Sequence, residues 1–243
     1  MTSSSGKSVI IVGATSGIGR ELAALYLKAG CRIGITGRRQ DLLETFQQEH
    51  KNSVVEKSCF DVCGNDNILQ LEALVAKLGG LDLLIYNAGF GEVTDNLDFK
   101  TEKKTVDINV NGFVEIVGWA YNYFLRLGSG QIAATSSIAS IRGNGLAPAY
   151  SASKAFMSIY MEGLFIRSSK TRANIFITDI QPGFVDTKAA KGNKRFWVAP
   201  VAKATQQIYR AIESKKRKIY VTQRWKLIAW LLKAMPVSVY KRI

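Results

Sequence analysis

Tyr150 and Lys154 stand four residues apart in the segment AYSASKAF. On a helix this spacing puts both side chains on one face. The ammonium can then sit beside the phenol and lower its pKa from about 10 towards the working pH. A tyrosine so placed is a general acid/base. Ser137 comes thirteen residues earlier, at the predicted end of a strand, where active-site groups of open α/β sheets collect. Taken alone, the pair also suits an ordinary helix surface, so its company decides.

A second cluster is made of glycines. Gly13, Gly17 and Gly19 lie between the apolar run SVIIV (8–12) and a stretch of helical period (19–29). Glycine there lets the chain turn tightly and brings bare backbone against a pyrophosphate, while the helix start offers free N–H groups and a positive dipole end. The spacing is GxxxGxG rather than GxGxxG, and a purely structural glycine turn is the competing reading. About 24 residues past Gly13, a dinucleotide fold chooses between a ribose hydroxyl and a 2′-phosphate. The chain has Thr36-Gly37-Arg38-Arg39 at that point. Two guanidiniums and no acid favour NADP(H) over NAD(H); solvated arginines opening the next helix are the alternative.

The elements that must position these groups alternate along the chain. Strands are predicted at 8–12, 32–36, 54–60, 81–86, 131–136, 174–180 and 218–222. Helices are predicted at 19–29, 42–48, 67–78, 101–127, 150–168 and 201–214. Short β-branched runs between helical stretches signify βαβ units. The expected fold is therefore α/β, a single-domain, doubly wound parallel sheet of about seven strands with helices on both faces. The domain occupies 1–222, and 223–243 form a basic amphipathic extension packed on it or appended to it.

Composition removes other chemistries. The chain has 243 residues, 47% hydrophobic and 21% charged, as expected of one globular domain. Its single histidine, His50, argues against serine–histidine hydrolysis and His-rich metal sites. Three cysteines without CxxC spacing suggest neither a disulfide framework nor a zinc site, and point to a reducing, cytoplasmic compartment. No metal is expected. MTSSSGK lacks the apolar core of a signal peptide, and no uncharged run reaches the roughly 18 apolar residues of a membrane span.

These features occur together in one family. The chain resembles the short-chain dehydrogenases/reductases over residues 7–222, with GATSGIG at 13–19, Asp61-Val62, NAG at 87–89, Asn109 in INVNG, Ser137, Tyr150, Lys154 and PGFVDT at 182–187 in family order. The resemblance implies a Rossmann-type fold and an NAD(P)-dependent carbonyl or alcohol reaction catalysed by Asn109, Ser137, Tyr150 and Lys154. The implied cofactor set is Gly13, Thr15, Ser16, Gly17, Ile18, Gly19, Arg38, Arg39, Asp61, Val62, Asn87, Ala88, Gly89, Tyr150, Lys154, Pro182, Gly183, Val185 and Thr187. In it Asp61 and Val62 border the adenine, Asn87 and Gly89 shape the cleft, and Thr187 meets the carboxamide end. Tyr150 protonates the developing alkoxide, Ser137 bonds the same oxygen, Lys154 lowers the tyrosine pKa and binds the ribose, and Asn109 holds a water. Two departures stand out: Val12 replaces a common threonine, and Ser16 fills a slot often basic in NADP enzymes. A non-catalytic NADP(H)-binding sensor is the rival class.

The formal charge of +14 is concentrated: residues 188–243 hold 15 basic residues and one acid, Glu213. The ending QRWKLIAWLLKAMPVSVYKRI suits an anionic membrane surface, reached from the cytoplasm at the inner face, or an acidic carrier protein bearing an acyl substrate. A helix packed over the active site or on another subunit is equally expected. No nucleic-acid motif is evident. If the tail is interfacial, the body should fold when cut after Thr222. The loop 189–197 is basic, which hints at an anionic or interface-bound substrate, although solvated loop charge is the favoured reading; a hydrophobic, lipid-like or acyl-carrier-bound carbonyl is left open. Helices 101–127 and 150–168 are apolar on more than one face; in the family such helices pair between subunits, implying a homodimer or homotetramer, with packing around the sheet as the competing reading.

Overall fold

The computed structural model describes residues 6–187 and 196–242. Its strands are β1 (Ser8–Val12), β2 (Arg32–Gly37), β3 (Val55–Cys59), β4 (Leu83–Tyr86), β5 (Ser129–Thr135), β6 (Asn174–Pro182) and β7 (Lys218–Val221). They form one parallel sheet in the order β3-β2-β1-β4-β5-β6-β7. The helices are α1 (Gly17–Lys28), α2 (Gln40–Glu49), α3 (Asn67–Leu78), α4 (Phe99–Val106), α5 (Gly112–Leu127), α6 (Pro148–Ser168), α7 (Val201–Glu213), α8 (Trp225–Ala234) and α9 (Val237–Tyr240).

The strands read as continuous apolar runs because both faces of the sheet are covered. In β1, Val9 and Ile11 point into a layer formed with α1, α2 and α7, while Ile10 and Val12 point into one formed with α3, α5 and α6. Tyr26, Tyr86, Phe46, Phe113 and Phe124 are fully buried, each side chain contributing about 1.5–3 kcal/mol of apolar burial. The strand order reverses between β1 and β4, which leaves a crevice outside their carboxyl ends, where ligands of doubly wound folds bind.

The expected seven strands are present with shifted ends; β4 starts at Leu83 and β6 runs through to Pro182. The helix expected over 101–127 differs more. It begins at Phe99, where the Asp98 carboxylate accepts from the N–H groups of Lys100 and Thr101. It is then interrupted by a π-helical turn, Asp107–Asn111, before α5. The interruption coincides with a tight approach: a methyl group on Gly112 would lie 2.4 Å from the Val62 carbonyl oxygen. Hydrophobic period is blind to such a turn, since an extra residue inside a helix leaves the apolar pattern nearly intact.

Candidate active site

Backbone and amide bonds lock the strand ends around the crevice. The N–H groups of Gly13 and Ala14 both donate to Thr36 O, at 3.1 and 2.9 Å. Asn87 donates from its backbone to Val12 O (2.8 Å) and from Nδ2 to Gly13 O (3.1 Å), and accepts from Thr135 Oγ1 (3.0 Å). Val12 therefore keeps the glycine turn tied to the segment after β4 through main-chain atoms. Glycine is required at 13 and 19: added methyl groups would lie 2.6 Å from Ala88 N and 2.2 Å from Gly13 O, and Gly13 has φ +85°.

Ser137, Tyr150, Lys154 and Asn109 converge just beyond β5. Ser137 follows the strand, its Oγ accepting from Ala139 N at 3.1 Å and sharing a hydrogen bond with Tyr150. Tyr150 lies in the first turn of α6, which Pro148 opens. Lys154 is 4% exposed; its Nζ donates to Thr135 O at 2.9 Å and lies 5.9 Å from the Tyr150 ring centroid. Asn109 sits in the π turn with its amide engaged. Oδ1 accepts from Phe90 N (2.9 Å), and Nδ2 donates to Phe90 O (2.7 Å) and Ser153 Oγ (2.9 Å). The side chain clamps the loop after β4 to α6 through these three bonds. Gly91, which the sequence reading passed over, belongs to this site. A methyl there would lie 2.2 Å from Tyr150 Cδ2.

The electrostatics differ from the expectation in one respect. Burial pushes the Tyr150 phenol above its usual pKa, and the bond with Ser137 opposes this only in part. With Lys154 Nζ 5.9 Å from the ring centroid, burial still sets the net direction. Burial also lowers Lys154 itself to about 8, against the opposing pull of Asp179. Asp179, 3% exposed on β6, was also missed. It accepts from Ser136 Oγ (2.5 Å), Ser158 Oγ (2.7 Å) and Gln181 Nε2 (2.9 Å), with Lys218 Nζ at 3.4 Å. Gln181 also reaches Ser140 Oγ at 3.1 Å. One buried carboxylate thus fastens β5, α6, β6 and β7 beside Ser137 and Lys154. Only its apolar neighbours ITDIQ could have marked it in the sequence.

The other end of the crevice has groups that could hold an anion. Ser16 precedes α1 and makes no side-chain cap, leaving the first-turn N–H groups to a ligand. Arg39 crosses this loop, bonding Thr15 Oγ1 at 2.5 Å and Ser16 Oγ at 2.8 Å. Arg38 is exposed and pairs with Asp61 at 3.4 Å. Val62 is buried beside Asp61. At Gly37 a methyl would lie 2.6 Å from Thr15 Cγ2, so an acid there would displace the loop. Ile18 packs on the α1 layer, and Ala88 on the other.

Pro182 ends β6, Val185 bridges to Ala199, and Thr187 lies against Gly17, 3.1 Å from a methyl placed there. Gly183 has a second role. A methyl on it would lie 2.1 Å from Trp225 Cε2, so the buried indole of α8 rests on this segment. The Trp225 Nε1–H has no hydrogen-bond partner among the described residues. The tail is thus built into the body rather than appended, and a cut after Thr222 uncovers this seat. Of the expected substrate loop, 189–195 lie outside the described residues; Phe196 and Trp197 join Trp225 in an aromatic cluster, with centroids 5.1 and 6.2 Å from it.

Comparison with known proteins agrees with this architecture. The family profile described as short chain dehydrogenase matches residues 7–196. An uncharacterized oxidoreductase from Myxococcus xanthus (strain DK1622) is 34% identical over 198 residues, covering 79% of this chain and 78% of its own. Among solved structures, a 3-ketoacyl-(acyl-carrier-protein) reductase from Brucella melitensis complexed with NADH superposes with TM-score 0.82 at 20% identity, covering 90% of this chain and 98% of the other. ElxO with NADP bound gives TM-score 0.78 at 19% identity, covering 90% and 98%. Matched along most of its length by profile, and by a relative that shares a third of its aligned residues, the chain belongs to the short-chain dehydrogenase/reductase family of oxidoreductases.

Proposed function

We propose that the protein reduces a carbonyl to a secondary alcohol with NADPH, Tyr150 being the proton donor. The observation that carries this is the convergence of Tyr150, Ser137 and Lys154 just beyond β5, the phenol sharing a hydrogen bond with Ser137 and the Lys154 ammonium 5.9 Å from its ring centroid, which is the arrangement a proton donor to a carbonyl oxygen needs. The residues fit a dinucleotide at both ends. The uncapped α1 start with Arg38 and Arg39 suits pyrophosphate and 2′-phosphate, and the unpartnered Trp225 N–H beside Gly183 suits the carboxamide end. Bound there, NADPH supplies the hydride. Ser137 and Tyr150 hold the carbonyl oxygen, Tyr150 releases its proton as charge develops on it, and Lys154 stabilises the resulting phenolate. Asn109 fixes the floor of the site through Phe90 and Ser153. Thr15 and Ser16 position Arg39, and the exposed Arg38, paired with Asp61 at 3.4 Å, would pair with the 2′-phosphate.

The substrate is best read as hydrophobic. Phe184, Phe196, Trp197 and Trp225 pack together beside Gly183, and an aromatic cluster next to the proposed cofactor segment favours a lipid-like carbonyl over a small sugar. A carrier-bound acyl group remains the second candidate, since the same neighbourhood is basic. A homodimer or homotetramer through α5 and α6 is proposed from Phe156, Ile159, Phe165 and Ile166, all exposed on α6. A cytoplasmic setting fits the exposed thiols of Cys59 and Cys63. No helix among the described residues is long and apolar enough to cross a membrane.

Following NADPH and NADH oxidation against a panel of aliphatic ketones, acyl thioesters and sugars tests this reading. Turnover of apolar ketones with NADPH is expected. Tight NADPH binding with no turnover of any carbonyl would replace the reading with a dinucleotide sensor.

A further inference from the structure

Helix α8 has two apolar sides, and the body covers one. Trp225 and Ala229 are buried at 3% and 2%, with Leu232 a further turn on. Leu227, Trp230 and Leu231 face away, 66%, 67% and 47% exposed, and Val237 and Val239 of α9 continue the strip at 67% and 50%. A helix packed on a body needs one apolar stripe; a second calls for cover. The strip is held in a fixed orientation. Arg142 Nη2 donates to the Met235 carbonyl and its guanidinium lies 5.3 Å from the Tyr240 ring centroid. Tyr240 Oη donates to Gly143 O at 3.0 Å.

Charge selects the occupant. Lys226 and Lys233, seven residues apart, lie along one edge of the strip, and Arg224, Lys241 and Arg242 stand at its ends. Residues 223–243 contain five cations and no acid. Two copies meeting through this strip about a twofold axis would bring like charges together with nothing in the segment to pair them. Anionic headgroups would neutralise the same cations while the lysine stems and the Trp230 indole settle at the boundary between headgroups and acyl chains.

We propose that the outward side of α8 and α9 docks the protein on an anionic lipid surface, inserting Leu227, Trp230 and Leu231 with Lys226 and Lys233 against the headgroups. Docking does not depend on the carbonyl-reduction reading. If both hold, Trp225 on the inner side of the same helix places the docked membrane next to Gly183 and the substrate approach. An apolar carbonyl then enters from lipid without crossing bulk water.

The test is flotation of the full-length chain with vesicles of phosphatidylcholine alone or with about one quarter phosphatidylglycerol, at about 0.05 and 0.5 M salt. Binding is expected to the anionic vesicles at low salt and to weaken at high salt. Leu227→Gln combined with Trp230→Gln should lower partitioning about tenfold or more, and Lys226→Gln with Lys233→Gln likewise, with the circular dichroism of each variant unchanged. The proposal is overturned if the natural chain stays unbound at low salt, or if the Leu227/Trp230 variant floats as well as it does. It is equally overturned if that variant loses oligomer size by light scattering, which would make the strip a contact between copies. Binding to soluble polyglutamate as tight as to the vesicles would also overturn it, by showing that charge alone is recognised.

Discussion

Lys154 owes its pH dependence to burial. Its pKa of about 8 means that the ammonium is intact below that pH and is lost as pH rises through it, whereas Tyr150, pushed upward, keeps its proton over the same range. Reduction needs both protonated, so kcat for a soluble ketone is expected to be flat near neutrality and to fall above about pH 8, as a pH–rate profile would read. Arg38→Ala should weaken NADPH by about ten- to hundredfold, a charge-assisted bond being worth about 1.5–3 kcal/mol, and leave NADH unchanged; titration of both cofactors checks it. That Tyr150, Lys154 and Ser137 would meet, and that the arginines would stand by the glycine turn, was legible because the proposed chemistry demands a residue type at a spacing. Gly91 and Asp179 were not, for a different reason. Each matters through a contact with a residue more than 20 positions away in the chain, and no spacing rule encodes that.

The elements hold these groups through a few tight junctions. Gly91→Ala would press its methyl on the base of the Tyr150 ring, where no flexible end can yield. A displacement of the phenol by about 1 Å predicts a loss of about a hundredfold in kcat with cofactor affinity retained, seen by comparing kcat with NADPH binding. The Asp179 carboxylate opposes the depression of Lys154 and fastens four elements beside it. Asp179→Asn removes the charge with little change of shape, so Lys154 should titrate lower and the alkaline fall in kcat should move to more acidic pH. An unmoved profile would reduce Asp179 to a structural tie. The sheet itself was readable because its strands are buried on both faces and therefore apolar throughout. The π turn was not, since it arises where Asn109 meets Phe90 and Gly112 meets Val62, contacts that close only in the folded chain.

At the scale of the whole molecule, one sheet carries a basic tail packed on Gly183 beyond the end of β6. The sequence showed the tail as amphipathic and left open which side faced in; Gly183 answers that, because only a residue without a side chain leaves room for the Trp225 indole. Trp225→Ala should cost about 3–5 kcal/mol, visible as a lower denaturant midpoint, and a cut after Thr222 is expected to lower it likewise. The central claim is that Tyr150 delivers the proton in an NADPH-dependent reduction. Tyr150→Phe keeps the ring against Gly91 and removes only the hydroxyl. The direct measurement is therefore NADPH affinity and ketone-dependent NADPH oxidation on this variant beside the natural chain. Affinity within about twofold and a rate lower by about a thousandfold is the predicted result; a variant that keeps more than about a tenth of the rate, or that no longer binds NADPH, would contradict the account.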